Sequence, residues 1–415
     1  MNENTDVTER RRADELMRDI LGGSAVVSTL AIVLSILVSS ALIVVTDANV
    51  QHAFPTILSQ PGDFFTAVGH SVTGAYSALF QGGVFNWKGD GWENQVKPLT
   101  ESLTFATPLI VAGLGVALAF RVGMFNIGGQ GQILVAAAAA GWLSWTYSMP
   151  PFLHMLVCVL AAIVAAGAWS GLAGFLKART GAHEVIVTIM LNYIALYLIS
   201  YLLRTPGALQ APGTSNPKSP PAHDSAVMPT LSDLLGTGSF RLHFGFVLVI
   251  LATVLVWYVL GRSSLGFRFR AVGENPQAAQ AAGINVPRVY IAAMIFSGGL
   301  IGLAGASQVL GTTTTGFSAG IDAGIGFDAI TVALLGRSRP WGVFFSGILF
   351  GVLKAGGYTM QASQGVPIDI ILVLQSVIVL FIAAPPLIRS IFHLPAPTGN
   401  PLLRRRNSTM KAMAK

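Results

Sequence analysis

GENPQAAQAAGIN, residues 273–285, lies between two long hydrophobic runs and resembles neither. Asn275 can cap a helix, Pro276 suits its first position, alanine and glutamine favour it, and Gly283 is a good stop. A helix of about seven residues cannot sustain itself in water, because nucleation costs more than so few bonds return. The stretch has no apolar stripe of its own. It has to pack against the hydrophobic runs beside it or against a partner.

Those runs set the fold class. Of 415 residues, 53% are hydrophobic and only 10% charged, against about 25% charged in globular proteins. So few charges cannot cover a soluble protein of this size, whereas lipid solvates most of a polytopic membrane protein. The single cysteine, Cys158, sits in an apolar run and reads as a small buried hydrophobe, which leaves no disulfide framework or cysteine metal site. The formal charge of +7 is spread between hydrophobic runs. It reads as a topology signal, and no nucleic-acid partner is expected.

The expected fold is all-α, with about ten transmembrane helices near 22–46, 99–120, 131–148, 152–176, 184–203, 244–261, 288–311, 326–336, 341–358 and 366–388. The eighth, GFDAITVALLG, is too short to cross at about 1.5 Å per residue and reads as a half-helix or re-entrant segment. With the N-terminus in the cytoplasm, 18 of the 25 Lys and Arg fall inside, as the positive-inside rule requires. This gives a cytoplasmic tail at 1–21, a membrane domain at 22–388 and a basic cytoplasmic tail at 389–415. Segments 47–98 and 204–243 become outer loops, and 262–287 becomes a cytoplasmic loop. Residues 62–86 read as an interfacial helix, with a further span as the alternative. The first span is too long for a cleavable signal and is expected to be an uncleaved anchor.

Three stretches carry polar groups at membrane depth. FRVGMFNIGGQGQIL, residues 120–134, breaks a hydrophobic hairpin with four glycines and brings Phe125, Asn126, Gln130 and Gln132. Discontinuous spans of this kind line substrate routes in transporters, although an ordinary cytoplasmic turn would look similar. HEVIVTIMLNYIALYLISYLL, residues 183–203, places Asn192 and Tyr193 mid-span, facing either a route or a neighbouring helix. GFSAGIDAGIGFDAITVALLGRSRP, residues 316–340, starts its half-helix near Asp328, which either complements the helix dipole or faces a pore. These seven residues are the candidate substrate pathway. The histidines are dispersed and no nucleophile–base constellation or HExxH is present, so no catalytic or metal site is expected. Without a carboxylate relay, a self-sufficient ion-coupled carrier is the weaker reading.

The flanking Arg268, Arg270 and Arg288 put the opening helix on the cytoplasmic side. Glu274, Asn275, Pro276, Gln277, Ala278, Ala279, Ala282 and Gly283 thus form a docking helix for a cytoplasmic motor subunit, its alanines losing little entropy on contact. FRVGMFNIGGQGQ, HEVIVTIMLNYIA, FRFRAVGENPQAAQAAGI and GFDAITVALLGRSRPWGVFFSGILFGVLKAGG together resemble, in this order, the permease subunits of bacterial ABC importers for nucleosides and simple sugars. The long outer region before the first motif is similar to the larger permease of nucleoside importers. The family is close to the branched-chain amino-acid permeases. The resemblance implies a multi-pass protein of the bacterial plasma membrane and a heterodimer with a second permease. It also implies a cytoplasmic ABC ATPase that carries ATP and magnesium, and an extracytoplasmic substrate-binding lipoprotein. Residues 273–284 would be the coupling helix, and nucleoside the substrate, with ribose-like or other simple sugars as the alternative. No cofactor is expected in this chain, which is a transport subunit and not an enzyme. His183 departs from the asparagine more usual in the family before Glu-Val-Ile.

Overall fold

The computed structural model describes residues 24–383 and 390–392. The tail expected at 1–21 lies outside these residues, as does that at 389–415 except for 390–392. Among the described residues the chain is helical, with one isolated β-bridge between Thr230 and His243. The helices are α1 (Ser24–Thr46), α2 (Ala48–Ala53), α3 (Pro61–Gly83), α4 (Gly91–Arg121), α5 (Gly129–Thr146), α6 (Pro151–Thr180), α7 (Glu184–Leu202) and α8 (Leu231–Leu235). After these come α9 (Gly245–Arg262), α10 (Ser264–Glu274), α11 (Pro276–Ala281), α12 (Val286–Ser307), α13 (Ile325–Leu335), α14 (Pro340–Gln364) and α15 (Asp369–Ala383). A π-helical turn, Gln308–Thr312, continues α12.

Among the described residues, six helices are long and apolar enough to cross a membrane: α4, α6, α7, α9, α12 with its π-turn, and α14. The shorter apolar segments Ile32–Thr46, Ile325–Leu335 and Asp369–Phe381 accompany them. Helix α3 is one continuous element, and it is not among the six.

The chain divides into two compact units. One holds the described residues up to 72 and from 369 onward, and in it α1 packs against α15. The other, residues 73–368, holds every element discussed below. Its centre is α4, whose apolar window is 83% buried, whereas that of α7 is 22% buried. A helix apolar all round and enclosed by neighbours is a core helix, and one left open faces lipid or another chain.

Lipid tails are as apolar as leucine, so helices inside a membrane associate through close packing rather than through the hydrophobic effect. Small residues provide that closeness between α12 and α6. At Gly302 of α12 a Cβ would fall 2.5 Å from the Ala162 carbonyl oxygen, and at Gly167 of α6 it would meet the Ile295 carbonyl at 3.1 Å. Gly302→Leu is therefore expected to force the two backbones apart. Overpacking of this kind costs about 1–3 kcal/mol, so the thermal midpoint of the detergent-solubilised chain should fall. An unchanged midpoint would mean that α6 and α12 are not held by this contact.

Candidate functional site

Helix α4 ends at Arg121 and α5 begins at Gly129; residues 122–128 between them are irregular. Gly123 makes the turn with φ 76°, a conformation that side chains disfavour. Asn126 is fully buried and organises the rest. Its Oδ1 accepts from the Gly128 N–H (3.0 Å) and from Gln132 Nε2 (2.9 Å). Its Nδ2 donates to Ser297 Oγ (2.8 Å) and to Gln132 Oε1 (3.2 Å), and the Ser297 hydroxyl donates to the Gly115 carbonyl (2.7 Å). Asn192 holds the loop from the other side, accepting from the Gly131 N–H (2.8 Å) and donating to the Ile127 carbonyl (2.9 Å).

Asn126, Gln132 and Asn192 thus come together in one network that joins α4, α5, α7 and α12. Their amides are spent on the protein itself, as buried amides must be. Phe125, Gln130 and Tyr193 are placed differently. Phe125 and Tyr193 are exposed, and Gln130 is half-buried with no hydrogen bond from its side chain among the described residues. The Phe125 N–H points to Glu184, which pairs with Lys177.

Asp328 lies apart from this network, yet its helix touches it. A Cβ on Gly129, at the start of α5, would fall 2.9 Å from the Gly326 carbonyl in the first turn of α13. The two glycine-rich stretches therefore meet where their helices begin. Asp322 serves the start of α13: its carboxylate accepts from the N–H groups of Gly324 (3.1 Å) and Gly326 (3.0 Å). Asp328 is turned sideways and accepts from Lys354 Nζ at 2.8 Å. Lys354 looks like a span-end residue when α14 is expected to stop near 358. The helix runs on to Gln364, which puts the ammonium well inside it. Lys354 also lines a narrow cleft of about 90 Å³ between α4, the π-turn, α13 and α14.

At the opposite end, residues 264–281 form two helices where the sequence suggested one. Ser263 caps α10 by accepting from the Gly266 N–H (3.0 Å). Phe269 and Val272 of α10 are fully buried, and Phe269 meets Phe296 edge-on. The arginines of FRFRAVG mask this helix in a hydropathy reading, although Ser263 and the Phe269–Val272 spacing are ordinary helix signals. Asn275 ends α10 and caps α11, its Oδ1 accepting from the Ala278 N–H (2.9 Å). Gly283, at φ 84°, closes α11: its N–H donates to the Gln280 carbonyl and that of Ile284 to the Ala279 carbonyl, the Schellman arrangement. Ala279 faces inward at 3% exposure. Glu274, Gln277, Ala278, Ala281 and Ala282 face out.

Residues 99–383 match the family described as branched-chain amino acid transport system / permease component. The chain is similar to the guanosine ABC transporter permease protein NupP of Bacillus subtilis, with 38% identity across 77% of this chain and 88% of that one. The glucose ABC transporter permease protein TsgB13 of Haloferax volcanii is 36% identical, over 68% of this chain and 75% of its own. The nucleoside ABC transporter permease protein NupB of Lactococcus lactis is 34% identical, over 69% and 79% respectively. No solved structure matches.

Asn126→Ala should strip four hydrogen bonds from the buried network, two that Oδ1 accepts and two that Nδ2 donates. A buried polar group left unpaired costs about 1–3 kcal/mol, so the melting temperature should fall clearly. Gln130→Ala, which removes no hydrogen bond, should leave it within a degree or two of the parent. Equal midpoints for the two variants would show that the network does not hold the loop.

Proposed function

This chain belongs to the permease-component family of branched-chain amino acid transport systems, and from that membership we propose that it forms part of the nucleoside pathway of an ATP-driven importer. The observation that carries the substrate is the similarity to a guanosine permease over nearly that protein's whole length. A simple sugar is the second reading, favoured by the similarity to a glucose permease. The chain is a multi-pass membrane transport subunit and not an enzyme.

Hydrolysis belongs in this reading to a separate ABC ATPase, which binds ATP and magnesium. A substrate-binding lipoprotein delivers nucleoside from outside, and a second permease completes the pathway. Both termini are cytoplasmic, as the Lys and Arg distribution favours. Phe125, Gln130 and Tyr193 remain available to face the route, because their side chains are not tied into the buried network. Helices α10 and α11 are the seat of the ATPase: α10 anchors them with Phe269 and Val272, and α11 offers a flat outer face of small residues.

Cells lacking this chain should lose uptake of labelled nucleosides and keep that of sugars. The opposite result would establish the sugar reading. The seat is tested by two glutamates on adjacent residues. Ala278→Glu, on the outer face, should leave the chain's thermal midpoint unchanged while co-purification of the ATPase drops several-fold. Ala279→Glu should destabilise the chain itself, since an unpaired charge would be buried. If Ala278→Glu retains full ATPase association, α11 is a loop and not a seat.

A further inference from the structure

Glu101, which lines the narrow cleft beside the Asp328–Lys354 pair, has a carboxylate oxygen that no described residue satisfies. Glu101 of α4 turns Oε2 toward Arg241 Nη1 at 3.6 Å, while its Oε1 is buried with no hydrogen-bond partner among the described residues. A buried acceptor in that condition destabilises the protein unless a donor is supplied. Lys354 lines the same cleft and spends one of its three N–H bonds on Asp328. The cleft is also lined by Phe105 and Tyr358, stacked with ring centroids 5.6 Å apart and planes at 27°. Gln308 and Thr312 of the π-turn are also part of the lining, and π-turns concentrate at functional sites. At about 90 Å³ the cleft admits the edge of a ring and not a whole nucleoside.

An unpaired carboxylate oxygen, a donor-only ammonium and a flat apolar wall call for a planar neutral ring with an N–H beside a carbonyl. We propose that this cleft is the subsite for the base of an oxo-type nucleoside, such as guanosine, inosine or uridine. The ring N–H donates to Glu101 Oε1, the neighbouring carbonyl accepts from Lys354, and the ring face lies against Tyr358. In that register adenosine and cytidine reverse both polarities: their amino group faces the ammonium and their ring lone pair faces the carboxylate. A shift by one atom leaves the carboxylate a single exocyclic donor. A site that hydrogen-bonds its substrate rejects mismatched analogues more strongly than an apolar pocket can. The inference rests on the nucleoside reading above and adds which bases this chain prefers.

The test uses the complete importer in cells, with labelled guanosine and labelled adenosine supplied separately. The capture protein stays the same throughout, so any change in preference reports this chain. Glu101→Gln should lower guanosine uptake about tenfold or more and adenosine uptake by less than about twofold. Tyr358→Leu should lower both, and Tyr358→Phe should restore both. Co-purification with the ATPase confirms that each variant is assembled. Equal loss of guanosine and adenosine in Glu101→Gln, or no loss of either, overturns the subsite while leaving nucleoside transport standing. An assembled parent importer that moves no nucleoside overturns both readings.

Discussion

Backbone N–H and C=O groups cannot be left bare at membrane depth, and this constraint governs how the chain may interrupt its helices. Two interruptions show how those groups are met, at 122–128 and at 313–324. The first break is satisfied by Asn126 from within and Asn192 from α7, the second by the carboxylate of Asp322. Asn192 belongs to α7, and Ser219, between α7 and α8, accepts from the Phe317 N–H in the second break, so each break also fixes its neighbours. Asn126 reaches Ser297 and, through it, the Gly115 carbonyl, so one amide sets α4, α5 and α12 relative to each other. The irregular segments therefore act as cross-braces. Glycine completes this by letting the starts of α5 and α13 come into contact at Gly129 and Gly326.

What the sequence discloses depends on whether a signal is local. The half-helix is legible because eleven apolar residues between polar turns can only be short, and it falls at Ile325–Leu335 against an expected 326–336. The stop at Gly283 is legible because one residue type fits its backbone. Helix α10 is masked because only three of its residues, Gly266, Phe269 and Val272, are buried, while arginines lower its average hydropathy. The extent of α14 is masked because GYTMQASQ continues the helix with polar side chains, and this moves Lys354 from an expected span end into the interior. The division of labour between Asp322 and Asp328 is settled by their partners. No local pattern names Ser297 as the partner of Asn126 from 171 residues away, or Lys354 as that of Asp328.

Contacts of the same kinds connect α10 to α13. A Cβ on Gly273, at the end of α10, would strike the carbonyls of Arg121 and Val122 where α4 ends, so the two backbones are in direct contact. Arg121 in turn donates from Nε to the Ser338 carbonyl at 2.9 Å, just beyond α13. From there α13 is a single rigid rod of about 16 Å at 1.5 Å per residue. Its first turn carries Asp328, bound to Lys354 in the cleft. Each link is backbone packing, a hydrogen bond or one helix, the materials through which coupling between distant sites is carried. The backbone on both sides of α13 is also unusual. Ala323 before it, and Arg337 and Ser338 after it, hold φ values of 47°, 52° and 50° without being glycine. Such residues cost about 1–3 kcal/mol each and cluster at clamps and switch regions. A uniform span would need no strained residues at its ends. The strained residues thus flank a short rod that carries half of an ion pair and is tied at its far end, through Arg121, to the end of α10.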